Sequence, residues 1–108
     1  MKQYDVYVGI SGHVDPTKLL IHLENFGLGL GVPGFTEFEA TGGWTPPAGD
    51  PIFEPAVVFR FILDNTPIFD TGQPLLPWSI TAFAAEAKRV FEQQEILVTV
   101  TDIDTYRI

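Results

Sequence analysis

The sequence has no cysteine, which excludes disulfide staples, zinc–thiolate centres and cysteine nucleophiles. It has only two histidines, His13 and His22, and neither stands at metal-ligand spacing from an acidic residue. No metal and no cofactor is therefore expected. No apolar run approaches the roughly 20 residues of a membrane helix, so no membrane span is expected. The opening Met1-Lys2-Gln3-Tyr4-Asp5 lacks the apolar stretch of a signal peptide, and a cytoplasmic location is the expectation. Basic residues are scarce: 6 Lys and Arg face 14 Asp and Glu, for a net charge of −8. Such a surface repels phosphate backbones, and direct nucleic-acid binding is not expected. The acidity fits either plain solubility or a surface aimed at a basic protein partner.

What is present points to one globular domain over residues 1–108. Hydrophobic residues make up 45% and charged residues 19%, a balance that fills a core and rules out a disordered tail. Tyr4, Val6, Val8 and Ile10 alternate, which predicts a strand over 4–10. Asp15-Pro16 is a helix start, and Leu19, Leu20, Leu23 and Phe26 continue it to residue 26, with Gly27 as the stop. The glycine-rich stretch 27–34 follows a helix and opens none, so it reads as a connector and not as a phosphate loop. Strands are predicted over 35–42, 56–63 and 95–103, and a helix over 79–92 with Ser79 as its cap. The strand 56–63 is apolar on both faces and should be central. The tail after Asp104 is a candidate edge strand.

This order, βαββαβ, predicts a ferredoxin-like α+β sandwich: a four-stranded antiparallel sheet with two helices on one face. The other sheet face would carry Asp5, Tyr7, Glu37, Glu39, Val58, Arg60, Ile62, Leu97, Thr99, Thr101 and Ile103. Its apolar centre predicts either burial against another copy or cover from the chain's own loops and tail. Arg60 would be neutralised across the strands by Glu37 or Glu39. Two fourteen-residue loops, 42–55 and 64–77, hold seven prolines and the apolar anchors Trp44, Ile52, Phe53, Ile68, Phe69, Leu75 and Leu76. Trp44 and Trp78 flank these loops, and each can stack on a flat ligand or plug the core.

The run Pro33-Gly34-Phe35-Thr36-Glu37-Phe38-Glu39-Ala40-Thr41-Gly42-Gly43-Trp44 after a glycine-ended helix, with the long excursion and apolar strand that follow, resembles the PII signal-transduction and divalent-cation-tolerance group. The resemblance implies a homo-oligomer, a trimer ahead of a dimer, with small ligands in clefts between subunits near the long loop. Ser11, His13, Gly43, Trp44, Arg60, Trp78, Lys88 and Arg89 are the ligand-binding candidates on that view. The first loop holds no Lys or Arg, whereas nucleotide-binding members of that group supply basic residues to phosphates.

Three functions follow as expectations. The first is a non-enzymatic oligomer holding a small ligand, such as a nucleotide, between subunits. The second is an acidic inhibitor module for a basic protein. The third is a small enzyme acting through His13, which follows the first strand.

Overall fold

The structure, a computed structural model, describes residues 1–12, 15–64, 68–70 and 73–108, with the backbone alone for 68–70 and 73–75. In chain order the elements are β1 (Lys2–Gly9), α1 (Pro16–Leu28), β2 (Thr36–Trp44), β3 (Ile52–Leu63), β4 (Ile68–Asp70), β5 (Gln73–Leu75), α2 (Trp78–Val90) and β6 (Leu97–Asp102). Strands β2, β3, β1 and β6 pair in that order, each antiparallel to its neighbour. This is the ferredoxin-like α+β fold. Strands β4 and β5 form a separate two-stranded ribbon. No helix among the described residues is long and apolar enough to cross a membrane.

Alternation along the strands decides the core. Tyr4, Val6 and Val8 of β1 and Val57, Phe59, Phe61 and Leu63 of β3 are buried together with Leu23 of α1 and Ile80, Phe83 and Ala87 of α2. Both helices therefore lie on one sheet face. Phe83 meets Phe59 and Phe61 with ring centroids 4.9 Å from each, and Phe35 reaches the same two rings at 5.6 Å. Tilted and edge-on contacts of this kind add to the area term of about 25 cal/mol per Å² of apolar surface.

The helix α1 runs through Gly27, which sequence reasoning took as its end. A Cβ at Gly27 would lie 3.1 Å from the Phe35 ring and 3.3 Å from that of Phe83. The glycine serves close packing and not termination, and the helix stops two residues later at Gly29. Asp15 stands at the N-cap without a side-chain cap bond, ahead of Pro16. In α2 the cap position falls on Pro77, so Ser79 lies inside the first turn.

Half of the expected loop 42–55 is strand. Gly42↔Glu54, Gly43↔Phe53 and Trp44↔Ile52 continue the β2–β3 ladder past the end of β1. The pair projects as an arm, and only residues 45–51 turn it. Pro55 is tolerated in β3 because its carbonyl accepts from Ile10 N–H at 3.1 Å, so the missing N–H lies on the side away from β2. The segment 64–77, expected as a loop, contains β4 and β5. The expected anchors Ile68, Phe69 and Leu75 concern side chains outside the described residues. The tail adds no strand after Asp102.

The tight seat at Gly27 gives a direct check. Gly27→Val should destabilise the fold by about 1–3 kcal/mol through overpacking, read as a lower urea midpoint with an unchanged slope.

Candidate functional site

The helix-free face of the sheet is organised by one ion pair. Asp5 and Arg60 are opposite each other in the β1–β3 register. Arg60 donates from Nε to Asp5 Oδ1 at 2.9 Å and from Nη2 to Oδ2 at 3.0 Å. Asp5 is 6% exposed, and the guanidinium sits 5.0 Å above the centre of the Phe38 ring. The Asp5 carboxylate raises the Arg60 guanidinium further above its ordinary value, against a smaller opposing effect of desolvation. Tyr7, Val58 and Phe38 share the next row, and Thr99 donates to the Tyr7 hydroxyl at 3.4 Å. Phe38 and Ile62 are just over a third exposed and Leu97 is 61% exposed.

This corrects two expectations. Glu37 and Glu39 are not on the open face: the register pairs them with Phe59 and Val57, on the helix side. Thr36, Phe38 and Ala40 take their places. Arg60 is thus neutralised by Asp5 and not by a glutamate of β2. Partial desolvation, and then the Glu24 carboxylate of α1, push Glu37 above the ordinary carboxylate range. Val58 is 1% exposed because its own row covers it.

Three concavities among the described residues border this face. One, of about 570 Å³, lies at the sheet end where β2 begins and β3 finishes, lined by Gly34, Thr36, Arg60, Asp64, Thr105 and Arg107 among others. The tail therefore reaches the far strands by crossing the end of the sheet. A second, of about 340 Å³, lies at the base of the arm between Tyr7, Ala40, Gly42, Glu54 and Leu97. The third, of about 380 Å³, brings Ser11 and Trp44 together with Glu54, Glu92, Gln93 and Glu95. Glu92 has φ +52°, the left-handed position after a helix end that glycine usually fills.

The sequence-derived candidates are thus distributed. Ser11 and Trp44 share a cavity. Gly43 stands beside it with the Phe53 ring 3.1 Å from where its Cβ would be, so only glycine lets that ring lie across β2. Arg60 lines the sheet-end cavity instead. Trp78, 73% exposed at the start of α2, lines none of these three. Lys88 and Arg89 are in the last turn of α2. Arg89 Nε donates to Glu86 Oε1 at 2.6 Å, and His22 of α1 meets the other oxygen at 2.9 Å. Arg89 first and His22 second hold Glu86 down to about 2. His13 lies outside the described residues. No group of three or more metal-ligating side chains occurs among the described residues. Sequence reasoning missed Glu54, Thr105 and Arg107 as cavity residues. Only the basic character of Arg107 in an acidic chain could have marked one of them.

No family model and no curated protein matches the sequence. Among solved structures, the chain is similar to a phage SAM lyase in complex with S-methyl-5′-thioadenosine, with a TM-score of 0.61 and 14% identity over 94% of this chain and 80% of that one. It is also similar to a phage SAM lyase in the apo state, with a TM-score of 0.55 and 18% identity over 93% and 78%. At such identities the likeness is one of fold.

Two outcomes follow. Asp5→Ala should cost about 1.5–3 kcal/mol, the range for hydrogen bonds to a charged group, with Asp5→Asn milder; chemical denaturation at neutral pH reads both. Glu86 has a folded value below its ordinary 4.5, so its contribution is complete above about pH 4.5 and lost as pH falls towards about 2. Glu86→Gln should lower Tm at pH 7 by no more than about 5 °C and flatten the acid limb of a Tm-against-pH curve.

Proposed function

We propose that this chain is a homo-oligomeric protein that binds a small phosphate-free adenosine derivative, of the S-adenosylmethionine and methylthioadenosine class, with neighbouring subunits completing the site. The observation that carries this reading is the fold likeness, across nearly the whole chain, to a phage SAM lyase bound to S-methyl-5′-thioadenosine. The charge supports it. A net charge of −8 and a 42–55 segment without Lys or Arg disfavour a polyphosphate. A neutral thioether nucleoside or a sulfonium cation meets no such repulsion. The half-exposed Trp44 offers a ring to stack on, with Glu54, Glu92 and Glu95 around it to attract a cation. A subunit arrangement like that of the PII group belongs to the same proposal. It would cover Phe38, Ile62 and Leu97, which the single chain leaves exposed.

The activity in the neighbours' name favours a second reading, that the bound sulfonium is also cleaved. The carbon–sulfur bond breaks with its electron pair going to sulfur. The substrate's own carboxylate closes on the carbon that sulfur leaves. Neutral methylthioadenosine and a protonated aminolactone depart, and the step needs no oxidant or added proton.

Thermal shift with S-adenosylmethionine, methylthioadenosine and ATP tests the binding. At about a hundred times Kd, a ligand should add about 2.7 kcal/mol. The first two should raise Tm and ATP should not. Silence from both at millimolar concentration, or a shift from ATP alone, would sink the reading. A light-scattering mass of one chain removes its intersubunit part. Chromatography of the S-adenosylmethionine incubation decides the second reading by the presence or absence of methylthioadenosine.

A further inference from the structure

Among the chain's 6 basic side chains, Lys2, Arg60 and Arg89 are engaged with carboxylates. Arg107 has no ion pair among the described residues, and it lines the 570 Å³ sheet-end cavity with Arg60, Asp64, Thr36 and Thr105. Asp5 takes Nε and one terminal nitrogen of Arg60, which leaves the other terminal nitrogen clear of it. The cavity therefore combines two guanidinium groups, one carboxylate and two hydroxyls with the apolar flank of Ile62 and Phe35.

This mixture selects by charge pattern. A phosphate or a lone carboxylate would be drawn to the guanidinium groups but opposed by Asp64. A simple cation would be drawn to Asp64 but opposed by two arginines. A group bearing both charges on substituents of one carbon satisfies all three. Arginine suits the anionic half because its planar fork matches both carboxylate oxygens. The volume falls within the range of pockets that enclose small ligands, about 300–1,000 Å³.

We infer that the sheet-end cavity is a site for a zwitterionic α-amino-acid headgroup. Arg107 and Arg60 take its carboxylate, Asp64 takes its ammonium, and Ile62 and Phe35 flank its methylene chain. The site deepens the preceding proposal and rests on it for one point: S-adenosylmethionine carries this headgroup and methylthioadenosine does not. Because Trp44 lies at the other end of the sheet, the Trp44 that stacks on the same ligand belongs to a neighbouring copy of the chain.

The test uses the full chain and three probes: S-adenosylmethionine, methylthioadenosine and L-methionine. Arg107 is exposed on the tail, so Arg107→Ala should leave Tm unchanged. By calorimetry it should weaken S-adenosylmethionine about ten- to hundredfold while leaving methylthioadenosine unaffected, and Asp64→Asn should do the same. Arg107→Lys should recover part of the loss. Millimolar L-methionine should shift the amide signals of Thr36, Asp64 and Thr105 in the wild type and not in Arg107→Ala. Equal S-adenosylmethionine affinity in wild type and Arg107→Ala, or unmoved amides with L-methionine, overturns the headgroup site; the adenosine reading then survives if methylthioadenosine still binds. Amide shifts from L-methionine without methylthioadenosine binding support the headgroup site and overturn the adenosine reading.

Discussion

Phe59 and Phe61 of β3 each meet Phe83 of α2 at 4.9 Å, and that contact determines which way the central strand faces. Side chains alternate strictly along a strand, so fixing Phe59 and Phe61 towards the helices sends Val58, Arg60 and Ile62 the other way. Both neighbours of β3 inherit that choice through the register. Asp5 and Tyr7 of β1 come to the open face opposite Arg60 and Val58, and Thr36 and Phe38 of β2 join the same rows. Gly27 completes the arrangement by letting α1 approach the Phe35 and Phe83 rings closely.

The open face then has to satisfy a guanidinium among apolar neighbours. A bidentate carboxylate on one strand and an aromatic face on the other achieve this with no helix cover. The arrangement leaves one terminal nitrogen of Arg60 beyond Asp5, at the margin where the tail brings Arg107 and Thr105. In a chain of net charge −8 with 6 basic residues, this end of the sheet brings two guanidinium groups together. The opposite end, around Trp44, concentrates carboxylates. The sheet thus presents one end of mixed charge and one that is acidic.

Element order and core were legible because they rest on local periodicity. The runs around Val6, Leu23, Phe59 and Phe83 each carry enough apolar residues at one spacing to state both element and face. The face of β2 was not legible. Glu37 and Glu39 look like the solvent row of a half-buried strand. Yet β2 is an edge strand, so glutamates on its helix side still reach water at the rim, while Phe38 covers Val58 and Arg60. The 42–55 segment misled for a related reason. Glycine and proline mark turns, but here Gly43 makes room for a cross-strand Phe53 ring and Pro55 directs its missing N–H away from β2.

The sequence by itself determined that this is a βαββαβ chain with an aromatic core, an acidic surface and no thiol chemistry, because composition and spacing act within a few residues of each other. Only the tertiary structure decided which carboxylate holds Arg60, which residues share a cavity with Trp44, and that a C-terminal arginine stands beside the start of β2. Those facts depend on register and on where the tail crosses, which are set by contacts between residues far apart in the chain.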